Sequence, residues 1–283
     1  MTVSLERPPV QGVSAVPPEN SPHKKPWYRP TFSPEHGVLL VLLGAVLTGA
    51  SVAQAWTADT SWACLAAFFG LQSEHPLIVQ VKQRRRWRPR YLVWASVYGG
   101  LALLIGLWLT FRHPVLLWVL AAGVIALGLD VLAVFQRTHK AIANEIVMFS
   151  AICLSTLFIY GATADTLTVR ALGMWILNSL FFSSAVFSVK LRKKKTSSLQ
   201  PGIFYHAVAI VLVASLYAIG WLSVFTALVF LVAVLKLAVI MCWQDWYRNC
   251  CFEHVARFET YFALSYTFLA ALTVLPPKLP PAA

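Results

Sequence analysis

The chain has 283 residues, of which 58% are hydrophobic and only 12% charged, with a mean hydropathy of +0.68 and a formal net charge of +12. A soluble domain of this size carries about a quarter charged residues, so the composition excludes an ordinary soluble enzyme and points to a membrane protein. The basic excess lies in short stretches between apolar segments, with no basic domain to hold nucleic acid; anionic lipid headgroups account for it at about 1 kcal/mol per cation near the surface.

Residues 1–33 contain seven prolines (Pro8, Pro9, Pro17, Pro18, Pro22, Pro26 and Pro30) and no apolar run. That excludes a secretory h-region and predicts a disordered tail. Nine apolar segments follow, at 36–56, 61–81, 91–111, 115–135, 143–161, 168–190, 203–219, 221–243 and 257–275. Each approaches the roughly 20 residues that cross a hydrocarbon core. The stretch 202–243 is too long for one span, and Gly220 near its midpoint predicts a tight hairpin. The prolines of 276–281 cannot continue a helix, so 277–283 reads as a short tail. The expected architecture is an all-α polytopic bundle, one nine-helix transmembrane domain over 34–276.

The loops alternate in charge. Of the 23 Lys and Arg, only Arg112, Arg170 and Lys278 fall on one side; Lys236 lies inside a segment, and the remaining 19 fall on the other side. Short loops rich in Lys and Arg stay cytoplasmic. This predicts a cytoplasmic amino end, a carboxyl end outside, and cytoplasmic clusters at Lys82–Arg90 and Lys190–Lys195. Trp27, Trp56, Trp62, Trp87, Trp221, Trp243 and Trp246 fall near the predicted interfaces, where tryptophan anchors. Ala45, Gly49 and Ala53, like Ala122 and Ala126, have the four-residue spacing of closely packed helices. The five cysteines show no CxxC spacing, and Cys250, Cys251, Glu253 and His254 match no zinc pattern, so no metal site is expected.

Ionisable groups at membrane depth cost roughly 2.5–3.5 kcal/mol each on the insertion scale, so each needs a reason. Glu74 and His75 lie about 9–10 Å before the cytoplasmic end of the second segment, at about 1.5 Å per residue. Asp130 and Lys236 share that depth in the fourth and eighth. Asn144 and Glu145 open the fifth, Lys190 closes the sixth, and Tyr205-His206 opens the seventh; Glu35-His36 opens the first and Glu259 the ninth. Ser179, Ser183, Phe187 and Lys190 share a helix face. The outer halves carry almost nothing ionisable. The expectation is a single polar chamber facing the cytoplasm beneath an apolar outer half. Pro76 predicts a kink or break beside Glu74-His75, since it removes a donor and disfavours helical geometry before it. No nucleophile–base pairing, phosphate-binding Gly loop or HExxH pattern occurs in the sequence.

Three stretches carry a resemblance: Lys25-Pro26-Trp27-Tyr28-Arg29-Pro30-Thr31-Phe32-Ser33-Pro34-Glu35-His36-Gly37, Gln72-Ser73-Glu74-His75-Pro76-Leu77, and Asn178-Ser179-Leu180-Phe181-Phe182-Ser183-Ser184 running on into Lys190-Leu191-Arg192. They resemble the YwiC-like family of bacterial integral membrane proteins, in the cyanobacterial form. The likeness covers roughly 25–275, with His36-Gly37 its most distinctive element. It implies a class and brings no activity with it. Nine helices with a cytoplasmic amino end are also similar in topology to the UbiA-like intramembrane prenyltransferases. Those enzymes hold Mg²⁺ and a prenyl diphosphate on Asp-rich motifs at the second and sixth helices. Here the corresponding places carry Glu74-His75 and Lys190-Leu191-Arg192, without the NDxxD pattern.

Three functions remain open. The leading one binds an anionic lipid or isoprenoid phosphate in a cytoplasm-facing intramembrane pocket, with His36, Glu74, His75, Asp130, Asn144, Glu145, Asn178, Lys190, Arg192, His206 and Lys236 as candidate ligand-binding residues. The second is a UbiA-like prenyl or acyl transferase with altered metal use, its candidate catalytic groups being Glu74, His75 and Asp130 and Mg²⁺ a possible cofactor. The third is a proton-coupled transporter using Glu74, His75, Asp130 and Lys236 as a relay. The expected partners are membrane lipids, and the expected location is a bacterial inner or thylakoid membrane.

Overall fold

Twelve α-helices run through the described residues of the computed structural model, which are 28, 30, 31, 36–83, 88–192 and 198–275, with His36 described in its backbone only. No strand occurs among them. Most of the expected tail at 1–33, the cations Arg84–Arg86 and Lys193–Lys195, Trp87 and the expected outer tail at 277–283 lie outside these residues. The helices are α1 (His36–Ala53), α2 (Ala58–Lys82), α3 (Pro89–Arg112), α4 (Leu116–Phe135), α5 (Ile142–Cys153), α6 (Ser155–Ala164), α7 (Val169–Leu191), α8 (Gln200–Ala218), α9 (Val224–Leu228), α10 (Leu231–Cys242), α11 (Gln244–Asn249) and α12 (Phe252–Val274).

Among the described residues, six stretches are long and apolar enough to cross a membrane: Pro89–Arg112, Leu116–Phe135, Ile142–Ala164, Val169–Leu191, Gln200–Ala218 and Val224–Cys242. The apolar helix Gly37–Ala53 is shorter. Helices α2 and α12 have the length but carry Asp59, Glu74 and Lys82, or Glu253, Arg257 and Glu259. Leu104, Trp118, Val124 and Phe204 point outward, each at least 66% exposed. Apolar surface of that extent calls for lipid, and the chain is a multi-pass membrane protein.

Local hydrogen bonding explains where helices depart from the expected segments. The segment expected at 143–161 forms two helices joined at Leu154, whose N–H is shared between the Ser150 and Ala151 carbonyls at 3.1 Å each. Tightening to i→i+3 bonds interrupts an α-helix without reversing the chain. The same pattern divides α9 from α10, where Phe230 N–H donates to Ala227 O at 3.1 Å and Ala233 N–H to Phe230 O at 2.9 Å. The hairpin expected at Gly220 is present, with Gly220 in the left-handed region at φ +78. Helix α1 ends at Ala53, short of the expected 56, because Gln54 turns left-handed at φ 54 and its amide donates to Val274 O at 2.9 Å. Of the kink or break expected beside Pro76, the break does not form: α2 is helical throughout Ala58–Lys82. A proline removes one backbone bond, and the rest of this long helix lies packed along α3.

Helix α1 lies at the centre, against α6, α7 and α12. Its small residues permit the approach. A Cβ on Gly49 would stand 2.6 Å from Thr156 O, and one on Gly44 would stand 2.6 Å from Phe182 Cζ. Contacts sort the helix termini into two ends. A basic end gathers the α2–α3 and α4–α5 loops with the close of α7 and α11. The opposite end gathers the start of α2, the close of α3, the start of α4 and the close of α6.

Candidate functional site

A cleft of about 400 Å³ opens among α2, α3, α4, α5 and α6. Small residues make the room: Ala66, Ala67 and Gly70 on α2, Gly99 and Ala102 on α3, and Gly123 on α4. Nothing lies within 4 Å of where a Cβ on Gly123 would stand. Leu103, Val119, Leu120, Leu127, Met148 and Phe158 make the walls apolar, and Glu74 supplies the one carboxylate among the lining residues. Helix direction places Glu74, Leu127 and Met148 at the end of the cleft nearer the basic end of the bundle. His75 adjoins Glu74 in α2 and is half-buried.

Just beyond that end of the cleft stands a polar cluster. Asp130 follows Leu127 on α4, is 5% exposed, and accepts from Asn144 Nδ2 at 2.8 Å; the same amide reaches His139 O at 3.3 Å. Glu145 pairs with Lys190 at 2.8 Å, and Lys190 Nζ also donates to Lys140 O at 2.8 Å. Burial, then the neighbouring Lys82 and Lys140, hold the His139 imidazole below its ordinary value, while Asp130 and Glu145 pull the other way. His139 Nδ1 is buried without a hydrogen-bond partner among the described residues. Lys82 and Lys140 are both exposed.

The other candidates lie elsewhere. Lys236, 2% exposed, donates to Glu259 Oε2 at 3.0 Å, and Tyr247 Oη donates to Glu259 Oε1 at 2.9 Å. Burial first, and then Glu259, push the Tyr247 phenol well above its ordinary value. Arg192 donates to Cys250 O at 2.5 Å. His206, 3% exposed, bonds through Nδ1 to Gly202 O at 2.7 Å and lines a smaller cavity that Lys190 also lines. Asn178 is fully buried and bonded through both ends: its amide donates to Thr48 Oγ1 at 2.7 Å and Thr156 Oγ1 at 2.9 Å, and its oxygen accepts from Tyr266 Oη at 2.8 Å. The side chain of His36 lies outside the described residues.

The structure thus divides what the sequence suggests is one chamber. Glu74 lines the large cleft, with Asp130, Asn144, Glu145 and Lys190 beyond its end. Lys236 and Glu259 form a separate pair, and Asn178 ties α7 to α1, α6 and α12. Each helix brings its polar residue to a different neighbour, and charges buried in a low-dielectric medium take the nearest partner. Of the shared stripe on α7, Phe187 and Lys190 reach the smaller cavity, while Ser179 Oγ donates to its own helix at Trp175 O, 2.8 Å away.

One group escapes the sequence reading. At the end opposite the basic loops, Asp59 meets Arg112 and lies 3.0 Å from His113 Nε2, while His113 Nδ1 lies 3.0 Å from Asp165 Oδ1. Thr60 Oγ1 and Thr163 Oγ1, 2.7 Å apart, extend the clasp. These residues read as separate outer loops. The available signal is the capping box of Thr57 and Thr60, which places Asp59 inside the first turn of α2.

The family model described as YwiC-like protein matches residues 32–160, a span that contains every residue lining the large cleft. No curated protein and no solved structure matches the chain.

Proposed function

We propose that this multi-pass membrane protein, YwiC-like over residues 32–160, binds an anionic amphiphile such as an isoprenoid or lipid phosphate. The apolar part lies in the cleft among α2–α6 and the anionic head at its basic end. One observation carries the reading: an apolar cavity of about 400 Å³ ends beside a polar cluster that Lys82 and Lys140 flank. That volume falls within the roughly 300–1,000 Å³ of small-molecule pockets. The helix ends and loops at the basic end supply Lys82, Arg88, Arg90, Arg137 and Lys140 against the acids Glu74 and Asp130, while Glu145 and Lys190 pair with each other. The head lies past Glu74, since Lys82 is about 12 Å further along α2 at 1.5 Å per residue. In this reading nine segments cross the bilayer, with α2 and α12 joining the apolar spans. The basic end faces the cytoplasm by the positive-inside bias, in a bacterial inner or thylakoid membrane.

The test is binding of tritiated farnesyl phosphate to the purified protein in detergent micelles. Saturable binding is expected, falling at least tenfold in Gly123→Leu, which fills the cleft without meeting a neighbour at its Cβ. Lys82→Ala combined with Lys140→Ala also weakens binding, and added salt weakens it further because exposed cations are screened. Absence of saturable binding, or unchanged affinity in Gly123→Leu, overturns the proposal. A transferase of UbiA-like shape would seat its substrate's apolar chain in the same cleft, with Glu74 the nearest carboxylate. Turnover in membrane extracts that survives Glu74→Gln would remove that reading.

A further inference from the structure

The sequence alone shows no nucleophile–base pair, yet folding makes one at the start of α12. Cys251 is the N-cap of that 23-residue helix, and its side chain caps no backbone N–H. His254 stands at the third helical position, which an N-cap side chain can reach. Cys251 Sγ and His254 Nδ1 lie 3.0 Å apart, and both residues are exposed. That distance allows direct proton transfer, and the thiolate is the form of cysteine that attacks electrophiles. The charged groups beside the pair are Glu253 and Arg257 of α12, 3.7 Å from each other, and Arg192 from the close of α7, held on Cys250 O.

The other four thiols differ. Cys153 is buried, Cys64 and Cys250 are half-buried, and Cys250 Sγ donates to Tyr247 O at 3.8 Å. Cys242 is exposed, but of the five only Cys251 is bonded to a base among the described residues. Position narrows the electrophile. Cys251 follows the membrane-crossing stretch Val224–Cys242 after the short helix α11. Its sequence neighbours Trp243, Trp246 and Phe252 are 62%, 47% and 71% exposed. Exposed tryptophans at the close of a span mark the interfacial layer of the bilayer, and amphiphilic electrophiles concentrate there. A cysteine beside a span is a setting for attachment of a fatty acyl chain. We propose that Cys251 is an S-acylation site that accepts a long-chain acyl group from an acyl thioester at the membrane surface. His254 Nδ1 takes the thiol proton, and Sγ attacks the thioester carbonyl carbon. Collapse of the adduct breaks the donor's C–S bond, and the departing thiolate takes the proton back from His254. One thioester replaces another, with no change of oxidation state. The pair shares no residue with the lining of the large cleft.

The experiment incubates the purified protein in phosphatidylcholine nanodiscs with palmitoyl-coenzyme A or acetyl-coenzyme A, read by intact mass and then by peptide mapping. One palmitoyl group per chain is expected, on Cys251 and released by neutral hydroxylamine, a result that needs no variant. Acetyl transfer is at least tenfold slower, because a short acyl donor does not collect at the interface. Cys251→Ser abolishes the modification, and Cys242→Ser and Cys250→Ser leave it in place. His254→Gln slows it at least tenfold at neutral pH. The gap closes above about pH 9, where an ordinary thiol ionises without a base; a purely structural role for His254 would show no such rescue. No acylation, acyl groups spread over several cysteines, equal rates for the two donors, or a His254→Gln rate equal to the native one at neutral pH each overturn the proposal. Gly123→Leu leaves acylation unchanged, so this site and the cleft hold or fail independently.

Discussion

Asn178 and Glu74 are both polar side chains set deep in a helix bundle, yet their surroundings differ in kind. Asn178 makes three hydrogen bonds, to Thr48, Thr156 and Tyr266. Tyr266 stacks on Phe181 at 3.7 Å, and Lys236 lies 5.5 Å from the Phe181 ring before pairing with Glu259. That chain of contacts locks α1, α7, α10 and α12 together. Glu74 instead faces a gap lined by glycine, alanine and aliphatic side chains. Within a bilayer a polar group fully used by the protein holds helices together. The cleft among α2–α6 is instead space that the protein's own side chains leave unfilled.

Substitutions on the locked side should cost the most. Glu259→Ala strips a buried ammonium of its partner and should destabilise by about 3–5 kcal/mol, read as denaturant unfolding in micelles; Leu103→Ala on the cleft wall, 56% exposed, should cost far less. Equal losses at the two positions would erase the contrast. Asn178→Leu removes three interhelical bonds, leaving Tyr266 Oη without its acceptor while Thr48 and Thr156 keep theirs at Gly44 O and Ala45 O, and should cost about 2–5 kcal/mol at 0.6–1.7 per bond lost, by the same measurement. Next come the glycines. Gly49→Ala drives a methyl toward Thr156 O and should cost about 1–3 kcal/mol as overpacking does. Gly123→Ala, facing open space, should gain up to about 1 kcal/mol from helix propensity. Comparison of their melting temperatures tests whether the cleft is real.

The smallest effect is a pH dependence at the open side's basic end. His139 titrates below its ordinary 6.5 in the folded protein, by burial first and then by Lys82 and Lys140. The unfolded chain therefore takes up the proton first, and stability falls as pH drops below about 6.5 toward the folded value. The melting temperature should decline between pH 7.5 and 5.5 by less in His139→Gln than in the native protein. A bound phosphate beside the ring favours the imidazolium, so farnesyl phosphate should shrink the native decline.

Much of the fold was legible in the amino-acid order. The hairpin at Gly220 was, because the apolar stretch around it exceeds one membrane thickness and glycine adopts a φ of +78 without steric cost. The close approach of α1 was signalled by Ala45 and Gly49 at four-residue spacing. The division at Leu154 was not, since it rests on a local shift from i→i+4 to i→i+3 bonding that leaves composition unchanged. Of the kink or break expected at Pro76 the break did not form, because its lost bond is a local term and packing along α3 is a tertiary one. Among candidate site residues, the sequence located the ionisable groups at depth but not their partners. Asp130 with Asn144 and Lys236 with Glu259 each join consecutive apolar segments, whereas Asn178 with Tyr266 joins residues 88 positions apart.

Composition and the period of the apolar segments by themselves determined that this is an all-helical multi-pass membrane protein with its cations gathered at one end. Lipid as solvent demands long apolar helices whatever lies inside the bundle. The tertiary structure alone decided which polar groups satisfy one another, where small side chains leave space, and that the acids and bases divide among several neighbourhoods. Those outcomes depend on which helix faces meet, and a helix face carries no label for its neighbour until the bundle is packed.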